Sequence, residues 1–185
     1  MGILNFLPKF KIVEMNRSTG LVAGHVIAQM PLKADSALIN TNYTTEFFEN
    51  GFILGVGTAT LQLEAFVAAS HSQPFLAFTE EMNTFMDGLK YFAVEEDADG
   101  DIYPRAVGLY VGDSFTTNNV VALADATHAK VVAGVLTLQT AKDGDTLFIV
   151  EPSTLPVMES TDNAYRFTYI GRSVEAYVQA YAVAL

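Results

Sequence analysis

Apolar and polar positions alternate with a period of two over many short runs, and most runs are closed by Gly, Asn, Asp or Pro. Successive side chains of a strand point to opposite faces, so this rhythm predicts half-buried β-strands. Strands are predicted over residues 10–15, 21–30, 51–56, 58–67, 75–78, 91–94, 102–111, 130–140, 147–151 and 165–170. The pattern is clearest where Leu61, Leu63 and Ala65 alternate with Thr60, Gln62 and Glu64, and where Tyr165, Phe167 and Tyr169 share one face. Residues 16–20 (Asn-Arg-Ser-Thr-Gly) form a turn, and Pro104 places its run at an edge or bulge. About nine or ten short strands at this spacing predict a mainly β fold, a sandwich or barrel.

One short helix is expected over residues 79–89. Thr79 can cap it, Glu80 and Glu81 suit its first turn, and Met82, Phe85, Met86 and Leu89 fall on one face, with Gly88 weakening the end. Residues 36–48 are a weaker helical candidate, rich in Thr and Asn. At the C-terminal end Val174, Tyr177, Val178, Tyr181, Ala182 and Leu185 have helical spacing, but the Val and Tyr content favours a strand.

The polar stretch at residues 95–101 marks a soft boundary. Before it lies a β-rich half over residues 1–94, with an N-terminal arm and the short helix. After it lie a β module over residues 102–171 and an apolar arm over residues 172–185, unless the whole forms one domain.

Composition adds an expectation about partners. Of the 185 residues 50% are hydrophobic, enough for a sizeable core, while 17% are charged, against about 25% in typical soluble domains. So few charges predict surface hidden against a partner, hence a homo-oligomer; the alternative is a monomer with a Thr-, Asn- and Ser-rich exterior. Apolar arms suit donation to a neighbour, which makes Ile3, Leu4, Phe6, Leu7, Val174, Tyr177, Val178 and Tyr181 the candidate interface residues. A net charge of −11, with basic residues scattered, argues against nucleic-acid binding and against an anionic membrane surface. The chain has no cysteine, which excludes disulfides, thiolate metal sites and cysteine nucleophiles. It shows no signal-peptide pattern and no apolar run of the ~18–20 residues a membrane-spanning helix needs, so cytoplasmic synthesis is expected.

Candidate chemistry is sparse. Asp97, Asp99 and Asp101 alternate as hard-cation ligands would, but the sixth and twelfth loop positions are Ile102 and Gly108, where an EF-hand needs Gly and Glu. A looser Ca²⁺ or Mg²⁺ site stays open beside the blander reading of a solvated acidic loop; no other cofactor is implied. His25, His71 and His128 lack partners at metal-ligand spacing; His25 reads as a structural strand residue, and the other two as loop residues. No Gly-x-Ser-x-Gly elbow, P-loop or dinucleotide fingerprint occurs, and no catalytic set assembles. Gly112-Asp113-Ser114 and Gly144-Asp145-Thr146 read as structural turns whose carboxylates accept backbone N–H groups.

Several stretches share one texture: Arg105 to Asn119, Asp143 to Glu151, Ser153-Thr154-Leu155-Pro156, Ala164 to Gly171, and the earlier Phe48-Glu49-Asn50-Gly51-Phe52-Ile53-Leu54. Together they resemble accessory virion proteins of tailed bacteriophages, of the capsid-decoration, auxiliary-head and head-fibre-base type. The resemblance implies a β-rich, non-catalytic virion protein without a cofactor. Such a protein would be made in the host cytoplasm and would assemble with the major capsid protein in an oligomer set by the particle. The competing expectation is a β-sandwich module for a glycan or small ligand, Ca²⁺-dependent through the acidic loop, although a chain without Trp lacks the usual sugar platform. A cupin-like enzyme barrel ranks third, since its close His-x-His pair is missing.

Overall fold

Alternation turns into burial wherever a run finds a partner strand. The computed structural model describes residues 13–22, 24–33, 37–40, 47–78, 82–85, 89–95, 101–152 and 164–172. In chain order these form β1 (Val13–Arg17), the one-turn helix α1 (Thr19–Val22), β2 (Val26–Ile27), β3 (Ile39–Asn40), β4 (Phe47–Glu49), β5 (Ile53–Val56), β6 (Leu63–Ala65), β7 (Phe75–Ala77), β8 (Met82–Phe85) and β9 (Leu89–Glu95). There follow β10 (Ala106–Gly108), β11 (Ser114–Thr117), β12 (Val120–Val121), β13 (His128–Val132), β14 (Val135–Gln139), β15 (Phe148–Pro152) and β16 (Tyr165–Tyr169). The fold is mainly β, as the alternation predicts.

Seven strands build one sheet in the order β1-β11-β16-β15-β13-β14-β12. Its inward face carries Phe115, Phe167, Val150, Phe148, Ala129, Leu138 and Leu136, all buried. Phe115 and Phe167 stack with centroids 5.5 Å apart, and Phe148 meets both edge-on at 5.9 and 6.0 Å. Such ring geometries stabilise by about 0.5–1.5 kcal/mol per pair beyond area burial. A second sheet, β2-β10-β7-β5-β6, has five strands, and a third, β3-β4-β9-β8, has four.

The five-stranded sheet is buried on both faces. Ile53 and Leu76, paired across β5 and β7, face the phenylalanine core of the seven-stranded sheet. Their neighbours Leu54 and Ala77 point the other way, into a second cluster with Leu63, Ala106, Leu32, Leu38, Ile102 and Phe48 of β4. A central layer of this kind needs apolar residues at consecutive positions, which is why β5 reads Ile-Leu-Gly-Val rather than alternating.

The layers are pinned together by a hairpin tip. Ala133 and Gly134, both left-handed (φ 47° and 79°), make the two-residue turn between β13 and β14. The Ile53 N–H donates to the Gly134 carbonyl at 2.8 Å. The Gly134 φ of 79° is one that side chains strain to adopt, and a Cβ there would lie 3.1 Å from the Ile53 carbonyl oxygen, so the position favours glycine.

Four expectations about individual elements change. The helix expected over residues 79–89 is replaced by the antiparallel pair β8–β9, with Phe85 opposite Leu89. Hairpin pairing extends a sheet that β4 has already begun on the other side of β9, and this outweighs the local helical spacing. The weaker helical candidate at residues 36–48 contributes β3 and β4 instead. The single strand expected over residues 130–140 is two strands folded back at Ala133-Gly134. The long strand expected over residues 21–30 is divided between α1 and the two-residue β2. The soft boundary at residues 95–101 does not part the sheets: β1 pairs with β11, and β10 lies between β2 and β7.

Candidate functional site

The most elaborate polar arrangement in the described interior surrounds His71, which is 5% exposed. The register of β5 and β6 sets Gly55 opposite Glu64. The His71 ring lies directly on Gly55, where a Cβ would come within 2.3 Å of its Cγ. The Val67 N–H donates to Nδ1 at 2.9 Å, and Nε2 sits 2.8 Å from Glu64 Oε1. An amide can only donate, so Nδ1 is the bare nitrogen and Nε2 carries the hydrogen that Glu64 accepts. The N–H groups of Ser70 and His71 both donate to the Val67 carbonyl, closing the turn beneath the ring.

Arg172 completes the cluster from the far end of the chain. Its Nη2 donates to the His71 carbonyl. Its guanidinium carbon lies 5.6 Å above the Phe66 ring, which is tilted against the His71 ring at 5.7 Å. Beside them opens a cleft of about 270 Å³, lined by Lys33, Ala37, Glu64, Ala65, Val67, Ser70 and His71.

The cleft places a serine, a histidine and a carboxylate side by side, but the hydrogen bonding is not that of a nucleophile and its base. A base needs a free imidazole lone pair aimed at the hydroxyl. Here the only lone pair, on Nδ1, is taken by the Val67 amide, and Nε2 is committed to Glu64. A metal would need that same lone pair. The arrangement orders the turn after β6 and ties the segment after β16 to it.

Two further polar groups serve the backbone. Asp113, fully buried, accepts from the Tyr110 N–H at 2.9 Å and from the Thr19 N–H at 2.7 Å, capping the first turn of α1 from 94 residues away. Asp143 accepts from the Asp145 N–H, the Thr146 hydroxyl, Gln139 Nε2 and Lys130 Nζ. The carboxyl is largely exposed; the desolvation it does suffer raises its pKa, but these donors together outweigh that effect and hold it below its ordinary value. The first Gly-Asp-Ser/Thr turn does what its pattern predicts; in the second the accepting carboxylate is Asp143, one residue ahead of the motif, and Asp145 supplies a backbone N–H instead.

Of the acidic-loop residues, Asp101 is partly buried, and Asp97 and Asp99 lie outside the described residues. Among the described residues no three His, Asp or Glu side chains gather as a metal site. The candidate interface residues Ile3, Leu4, Phe6, Leu7, Val174, Tyr177, Val178 and Tyr181 all lie outside the described residues. His25 is exposed beside β2 with its ring 5.3 Å from that of Tyr110, and His128 pairs with Gln139 and Ile149 in β13. Neither meets another histidine or a carboxylate in these contacts.

Sequence reasoning missed the His71 cluster. Its partners stand seven and 101 residues away, and the glycine that makes room for the ring belongs to a different strand. Among the described residues no helix is long and apolar enough to cross a membrane. No family model matches the chain, and neither the curated proteins nor the solved structures contain a match to it.

Proposed function

We propose that this chain is a non-catalytic structural protein of the tailed-phage virion type, a decoration or auxiliary head protein that self-associates and binds the capsid surface. One observation carries the reading. Buried His71, half-exposed Glu64 beside it and, elsewhere in the core, buried Asp113 commit their hydrogen bonds to backbone groups and to each other, even though the first two border a cleft. Polar chemistry spent on locking turns suits a protein whose product is a rigid shape. The layered β architecture agrees with it, as does a composition with only 17% charged residues. Its partners on this reading are further copies of itself and the major capsid protein.

The test is solution mass by light scattering, on the full chain and on chains lacking residues 1–7 or 174–185. A stable oligomer that falls to monomer without its apolar ends supports assembly through the arms. A monomer indifferent to both deletions sinks that route. Mass spectrometry of purified particles then places the chain in the virion, at a copy number comparable with that of a lattice component, or excludes it.

A further inference from the structure

The turn joining β5 to β6 sets an apolar side chain in an unfavourable conformation and an unfavourable environment at once. The Gly57 N–H donates to the Gln62 carbonyl and the Leu61 N–H to the Gly57 carbonyl, closing a loop in which Leu61 is left-handed, at φ 55°. Gly and Asn suit that conformation, whereas a branched apolar residue strains it. Leu61 is also 68% exposed, so it gains little from burial within its own chain. An observed outlier of this kind points to a use.

The surroundings indicate which use. From residue 51 to residue 79 the only Asp, Glu, Lys or Arg is Glu64, and that carboxylate is held by His71. The two turns bracketing β6 present Thr58, Ala59, Thr60 and Leu61 on one side, and Val67 (46% exposed), Ala69 and Ser70 on the other. Both turns are free of charge in a chain of net charge −11, and the cleft beside Val67 and Ser70 adds one base, Lys33, against one acid, Glu64. Two copies of such a chain repel each other, so they meet at least cost through a surface that carries no net charge. A cationic partner would gain nothing by docking there.

We infer that the turns flanking β6 form a self-association face, with Leu61 as the apolar knob and Val67 as part of the contact made by a second copy. This rests on the assembly reading and names the surface it would use. The expected symmetry is two-fold, because knob and receiving surface belong to one patch.

The experiment compares wild type, Leu61→Asn, Val67→Thr and the control Val121→Thr by light scattering over a dilution series. Val121 is 55% exposed, at the far edge of the seven-stranded sheet. Leu61→Asn should weaken association at least about a hundredfold, since a two-fold contact loses two leucines. Its dilute monomer should melt at the same temperature or higher, because Asn accepts the left-handed conformation. Val67→Thr should weaken association less, and Val121→Thr not at all. A wild-type oligomer unmoved by Leu61→Asn overturns this inference and leaves the assembly reading standing. A wild type that stays monomeric at every concentration overturns both.

Discussion

Gly55 offers a test of the His71 cluster in which the sign of a mutational effect reverses. Its φ is not in the left-handed region, so the backbone accepts an alanine, and the nearest obstacle is the imidazole 2.3 Å from the new Cβ. Ordinary contact begins near 3.4 Å, so the ring must withdraw by about 1 Å. That displacement carries the 2.8 Å contact with Glu64 and the 2.9 Å contact with the Val67 amide out of hydrogen-bonding range. Losing one bond to a carboxylate and stranding one amide costs about 2–4 kcal/mol. In a His71→Ala background the same Cβ enters vacated space, and Gly→Ala within a strand should then stabilise by about 0.5–1 kcal/mol. Urea denaturation of the four proteins of the cycle measures the coupling, expected near 3–5 kcal/mol. A Gly55→Ala cost that is equal in the two backgrounds would show that the ring is not what reserves this position for glycine.

Other outcomes follow from the same contacts. Asp113→Ala strands the amides of Thr19 and Tyr110 and should cost about 2–4 kcal/mol by chemical denaturation, with Asp113→Asn losing less because it keeps one acceptor oxygen; an alanine variant as stable as wild type would refute the cap. Asp143 has a folded pKa below its unfolded one, so its stabilisation is fully present above the unfolded value near ~3.9 and disappears as pH falls through the folded value. Wild type should therefore converge with Asp143→Asn in denaturant midpoint as pH falls from 6 toward the acid end, about 2–3, and a gap that widens on acidification contradicts this. Phe148→Ala opens the ring cluster and should cost about 3–5 kcal/mol; a loss below about 1 kcal/mol would mean that the three rings do not form one packed unit.

Much of the sheet content was legible because one face of most strands is wet and the other dry, and a period of two survives wherever that holds. Residues 165–169 show it: Phe167 and Tyr169 are buried while Arg166 is exposed. The helix expected at residues 79–89 failed because Met82, Phe85, Met86 and Leu89 fit a helical stripe just as their flanks fit a hairpin. In sequence, Asp87-Gly88 stands between the residues of the two strands, and that dipeptide is a strong hairpin signal, whereas Gly88 alone reads as a weak helix end. The fold-back at Ala133 was illegible for another reason. Alanine is not a residue that marks a left-handed turn, and what holds it there is docking on Ile53 and Leu38, a tertiary effect. The His71 cluster was hidden in the same way, since a glycine beneath a histidine ring in another segment leaves no trace in local spacing. The Gly-Asp-Ser/Thr segments were readable as turns because most of their bonds close within a few residues, although in the second the carboxylate that accepts is Asp143 rather than Asp145.

The interleaving of the two halves of the sequence has a consequence for synthesis. β1 closes the seven-stranded sheet against β11, about a hundred residues later, and β11 in turn lies beside β16. Pairings this distant are slow to find, and on a ribosome none of this sheet can be completed until residue 169 has emerged. At 5–20 residues per second, β1 waits roughly 8–30 s for the last strand of its sheet. Residues 1–79 hold five acids and four bases, so this stretch is nearly neutral. The following stretch, residues 80–101, adds eight acids against one base. Most of the charge that keeps unfolded copies apart thus follows β1 to β7 in the chain, so those strands wait for their distant partners with little repulsion of their own.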